Sequence, residues 1–166
     1  MRRRGGCGCA GVVVLVALAT AGPASAETWA GITPGETTRQ EVEARHGRPT
    51  RERMLVEEGR TVPEWTYLTD RAPRGLDRMV VSFGFLRPEG FTADVVRAVV
   101  IYPKPRVFTL EAIGDGWGTP DAIGTDEQTG RPAFRYDARG LLIILDRTGA
   151  WAEVLLFAPT PASGKP

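Results

Sequence analysis

Four residues that start, anchor, stop and break a helix occur twice in this chain at a separation of 71 positions: Thr38, Val42, Gly47 and Pro49, then Thr109, Ile113, Gly118 and Pro120. Each has a mechanical task. Threonine accepts hydrogen bonds from the orphan amides of a first turn, and Glu41, three residues after Thr38, completes a capping box. Val42 and Ile113 supply one apolar contact per helix. Glycine takes the left-handed conformation just past the last turn, and a proline two residues later cannot continue the helix. The first helix is therefore expected to end at about His46. The second contains Leu110, Ala112 and Ile113, with Phe108 placed before the cap as a hydrophobic staple on Ile113. Joint recurrence of four such positions reads as an internal repeat.

Each helix signal is followed by strand signals. In the first copy these are 53–56, 62–68 with Pro63 keeping it near a sheet edge, 79–85 and 95–102. Met79, Val81, Phe83 and Phe85 alternate with Val80, Ser82 and Gly84, which is the period of two of a strand with one buried face. In the second copy the segments are 133–137, 141–146 and 151–157, the last two joined by Arg147-Thr148-Gly149. The expected fold class is α+β: two tandem repeats, residues 27–105 and 106–158, each with short N-terminal helical segments packed on an antiparallel sheet of three to four strands. The Pro-rich residues 159–166 are expected to be a disordered tail.

Residues 1–26 read as a signal peptide, with Arg2, Arg3 and Arg4, an apolar run from 11 to 19, and Ala24-Ser25-Ala26 as the cleavage motif. The 140 residues from Glu27 onward are enough to bury about two-thirds of the unfolded surface. Loss of the three arginines leaves 18 basic residues against 20 acidic ones, a balance that argues against a nucleic-acid partner. Cys7 and Cys9 leave with the signal, so the mature chain has no disulfide, thiolate metal site or cysteine nucleophile. Both precede the apolar run, whereas a lipidated cysteine directly follows it, so no direct membrane anchor is expected. The apolar run is also well short of the about 20 residues that span a bilayer. Export to the periplasm or beyond follows as the expectation.

Chemical motifs are sparse. His46 is the only histidine and suits a helix C-terminus. The mature serines are Ser82, in a strand, and Ser163, in the tail, so a serine-histidine-acid arrangement is not built. The stretch Gly114-Asp115-Gly116-Trp117-Gly118 follows a helix and lacks the phosphate-loop ending, which makes it a helix terminator. Asp94, Asp137, Asp146 and Glu153 read as solvated strand-end positions, and the 121–127 region lacks the ligand spacing of a calcium loop. No catalytic residue, cofactor or metal is expected. The aromatic residues stand out instead. Trp65, Tyr67, Tyr102, Phe134, Tyr136 and Trp151 fall on strands, and Trp65 and Tyr67 share one face. If exposed, Trp65, Tyr67, Tyr102, Tyr136 and Trp151 form a partner-binding surface of the kind aromatic hot spots favour, with Arg71, Arg74 and Arg78 as its rim. If covered by the helices, they are core.

The stretch from Ile32 to Val42 with Gly47-Arg48-Pro49, followed by Trp65 to Leu68, Val81 to Phe83 and Val96 to Tyr102, resembles the SmpA/OmlA (BamE-like) family. Phe134 to Tyr136, Leu142 to Leu145 and Val154 to Phe157 do so in the second copy, and the tandem arrangement is similar to the beta-lactamase inhibitor protein fold. The resemblance spans most of residues 29–158. It implies a non-catalytic, exported protein that binds another protein in the cell envelope. Self-association is the homotypic version of that expectation. The competing expectations are a periplasmic enzyme or small-ligand carrier with a deep pocket, or a secreted inhibitor-like protein.

Overall fold

The computed structural model describes residues 26–57, 59–87 and 89–159. The expected signal peptide and tail lie outside these residues, apart from Ala26 and Pro159. Helix α1 spans Arg39–His46 and is followed by strands β1 (Arg51–Glu57), β2 (Arg60–Leu68), β3 (Leu76–Arg87) and β4 (Gly90–Pro103). Helix α2 spans Leu110–Trp117 and precedes β5 (Ala122–Thr125), β6 (Pro132–Tyr136), β7 (Leu141–Leu145) and β8 (Ala152–Phe157).

Both helices start and stop where the sequence places the signals. The Thr38 hydroxyl accepts from the Glu41 amide at 3.4 Å, and the Glu41 carboxylate accepts from the Thr38 amide at 2.8 Å. Thr109 accepts from the Ala112 amide at 3.2 Å. Gly47 and Gly118 follow the last turns with φ of +73° and +75°, the left-handed region that favours glycine. Gly114 and Gly116 lie within α2 rather than beyond its end.

The division into two helix-on-sheet units does not hold. All eight strands form one antiparallel sheet in the order β1-β2-β3-β4-β8-β7-β6-β5, and the only α-helices among the described residues are the two eight-residue segments. The joint is the pairing of β4 with β8, with Val99 opposite Phe157 and Ile101 opposite Leu155. The physical reason lies in β4 and β8 themselves. Both are apolar on successive residues, Val99-Val100-Ile101 and Val154-Leu155-Leu156-Phe157, which suits central strands rather than edges. An exposed apolar edge is a liability that pairing removes. Strand β5 was not expected; its four residues include Gly124, and only Ile123 is strongly apolar.

The helices cover one face of the sheet. Its centre is a single core of Trp65, Tyr67, Met79, Val81, Val99, Ile101, Ile143, Leu155 and Phe157, into which Val42 of α1 and Ile113 of α2 both pack. Two tyrosines tie helix ends to this sheet. The Tyr67 hydroxyl donates to the Gly47 carbonyl and the Tyr136 hydroxyl to the Gly118 carbonyl, each at 3.0 Å. Burial pushes the Tyr67 phenol up to about 12, so it remains a donor at neutral pH. At the start of each helix, Thr38 bridges to Val95 and Thr109 to Trp151.

Asp146 departs from the solvated reading of its sequence position. It is 4% exposed, and its carboxylate accepts from the amides of Thr148, Ala150 and Trp151 and from the Thr148 hydroxyl. Burial pushes this carboxyl up, but the four donors outweigh it and hold it at about 2. A carboxyl depressed on folding stabilises the protein above its unfolded value, and that contribution is lost as the pH falls from about 4 towards 2. Asp146→Ala is expected to lower the urea midpoint at pH 7 and to flatten the loss of stability across that acid window. Denaturation curves at pH 7, 4 and 2.5 check it; an unchanged midpoint at pH 7 contradicts the assignment.

Among the described residues no helix is long and apolar enough to cross a membrane.

Candidate functional site: the open face of the sheet

Side chains alternate across a sheet, so the residues between the core positions point to the other face, which neither helix covers. The pairing places Arg51, Thr66, Val80, Val100, Leu156 and Leu142 in one row across six strands. A neighbouring row holds Leu68, Arg78 and Tyr102. Val80, Val100, Tyr102, Leu142, Ile144, Val154 and Leu156 are all half-buried on this face. They form an aliphatic strip over the middle of the sheet, where a single-sided sheet would carry polar residues.

At the β1 to β4 end the face holds a groove of 590 Å³ whose lining includes Arg51, Arg53, Glu64, Arg78, Val80 and Tyr102. Glu64 is 8% exposed and is held from two sides: Arg53 donates at 2.6 Å and the Ser82 hydroxyl at 3.2 Å. The carboxylate is thereby paired and fixed in place. The Arg78 guanidinium lies 3.6 Å from the centroid of the Tyr102 ring, a cation–π stack, and both side chains line the groove. Neither Arg51 nor Arg78 has a carboxylate partner among the described residues. At the far end of the row, Arg135 is paired with Asp137 at 2.9 Å. Positive charge on this face is therefore concentrated at one end of the strip.

The structure separates the five aromatic candidates. Trp65, Tyr67 and Tyr136 are 5%, 0% and 3% exposed, beneath the helices; as buried core they cannot line a surface, which corrects their expected place at an interface. Phe134 also packs against that core. Trp151 is half-buried beside the start of α2, with the Arg106 guanidinium 5.7 Å from its ring. Tyr102 alone lies on the open face. Of the expected arginine rim, Arg78 lines the groove, while Arg71 donates to the carbonyls of Arg48 and Pro49 and braces the loop after β2. The His46 ring donates to the Ala30 carbonyl at 3.2 Å, and burial holds its imidazole below the ordinary value.

The residues missed at sequence level had a signal. Runs such as 141–145 and 154–157 are apolar on consecutive positions, which requires two apolar faces, and Arg51 and Arg53 share one face at a spacing of two.

No family model matches the sequence, and no curated protein matches it at a significant level. Among solved structures, the crystal structure of a DUF4309 family protein, YjgB, from Bacillus subtilis subsp. subtilis str. 168 is similar, with a TM-score of 0.50 and 16% identity over 78% of this chain and 82% of that one. That likeness concerns the fold.

Proposed function

We propose that this protein is an exported, non-catalytic binding module of the cell envelope, and that a protein partner docks on the open face of its sheet. The observation that supports this reading is the uncovered aliphatic strip. Six aliphatic side chains and Tyr102 lie half-buried over the central strands with no helix above them among the described residues, and contiguous apolar surface of this kind marks an interaction site. The chemistry of the groove agrees with binding rather than turnover. Its buried carboxylate is tied to Arg53 and Ser82, which leaves it poorly suited to act as a base. The similarity of residues 32–49 to SmpA/OmlA proteins supports the envelope setting, and the basic, apolar and near-terminal pattern of residues 1–26 supports export.

A photo-crosslinking residue placed at Val100, on the open face, is expected to capture a partner from envelope extract. The same residue at Glu43, on the solvent side of α1, is expected to capture none. Equal capture at both positions, or capture only at Glu43, contradicts the reading.

A further inference from the structure

We infer that the occupant of the open face is an acidic, aliphatic polypeptide segment, its carboxylates on Arg51 and Arg78 and its apolar side chains along Val100, Leu156 and Leu142. This rests on the open-face reading above and names the chemistry that site selects. Charge is the first argument. Arg51 and Arg78 are the groove's guanidinium groups without a carboxylate partner among the described residues, whereas Arg53 and Arg135 are already paired. A guanidinium presents a planar fork that matches a carboxylate, and the stack on Tyr102 holds the Arg78 fork in place before anything binds. Position is the second argument. The cationic end lies over β1 to β3, and the strip continues from it over β4, β8 and β7. Strands are spaced about 4.8 Å apart, so the row from Arg51 to Leu142 spans about 24 Å, the length of about seven extended residues.

A second copy of this chain is the rival occupant, because Asp126 and Glu127 line a pocket with Arg135 and Leu142 at the other end of the strip; concentration-dependent dimerisation in sedimentation velocity that Arg51→Glu/Arg78→Glu abolishes overturns the inference. The openness of the face favours a polypeptide over a lipid. The face is an open trough, and an acyl chain lying in it would keep much of its surface in water, whereas a protein segment brings its own cover.

The test uses the protein from Glu27 onward and three fluorescein-labelled peptides. The first has two glutamates followed by alternating leucine and serine, the second has lysines for the glutamates, and the third has serines for the leucines. Fluorescence anisotropy is expected to show saturable binding of the first, at least tenfold weaker binding of the other two, and weakening of the first in 1 M NaCl. Arg51→Glu/Arg78→Glu is expected to weaken the first peptide at least tenfold with an unchanged urea midpoint. If the double variant unfolds, Arg51→Glu alone, at an exposed edge position, carries the same expectation at about threefold. Absence of binding, equal binding of the lysine peptide, or preferential cosedimentation with phosphatidylglycerol vesicles overturns the inference. Capture at Val100 separates the two readings. A partner crosslinked equally to native and charge-reversed protein leaves the open-face reading standing and removes the acidic occupant; no capture at Val100 removes both.

Discussion

Gly84→Ala is expected to lower the unfolding free energy by about 3 kcal/mol or more, a large share of the about 5–15 kcal/mol that holds a domain folded. Two costs combine. Gly84 has a φ of +90°, and an L-residue in left-handed backbone costs about 1–2 kcal/mol. A Cβ built there would lie 2.4 Å from Cγ1 of Val62 and 3.0 Å from the Phe91 ring, and overpacking of this kind costs about 1–3 kcal/mol. Val62 is short, branched and buried, so it cannot swing aside. The position coincides with the register shift between Phe83 and Phe85, where β3 must bend against β4. Gly47→Ala isolates the backbone term, because its φ is +73° and nothing lies within 4 Å of the added atom. Equilibrium urea unfolding followed by tryptophan fluorescence should rank Gly84→Ala well below Gly47→Ala; the reverse order contradicts the steric argument from Val62.

Trp65→Ala is expected to cost about 3–5 kcal/mol, the range for truncating a large buried aromatic. The ring is 5% exposed and meets Phe83 edge-on with centroids 5.0 Å apart. Its Nε1 is buried without a hydrogen-bond partner among the described residues. A buried donor left unpaired costs about 1–3 kcal/mol, so Trp65→Phe removes that penalty while giving up some contact. The phenylalanine variant should therefore stay within about 1 kcal/mol of the native protein. Thermal and urea denaturation of the pair decide the matter. Equal, small losses would show that Trp65 is not a core residue, and a large loss in Trp65→Phe would show that its Nε1 has a partner after all.

The local grammar of this chain was readable without coordinates. Caps at Thr38 and Thr109, stops at Gly47 and Gly118, and seven of the eight strands follow from hydrogen-bonding residues, positive-φ glycines and apolar spacing, all of which act over a few residues. What escaped was long-range. Two meanders whose last strands are apolar on both faces can end as separate sheets or join, and alternation within a strand does not say which strand will lie beside it. The burial of Trp65, Tyr67 and Tyr136 escaped for a related reason. A period of two tells which residues share a face, not which face the helices cover. The basic groove was half legible: Arg51 and Arg53 sit on one side of β1, but their meeting with Arg78 and Tyr102 depends on the register of three further strands. Strand β5 was hidden by its brevity and its glycine.

Among the described residues, β8 is the last strand in the chain, yet it lies in the middle of the sheet. Val99 pairs with Phe157, 58 positions later, so the joint between the two halves of the sheet is a contact between distant parts of the chain. Pairings between distant parts of a chain form slowly, because loop closure must precede the contact. Without that contact, β4 would present an apolar edge, a template for pairing with a neighbouring molecule. The β4–β8 pairing is thus what removes an apolar edge from each half of the sheet.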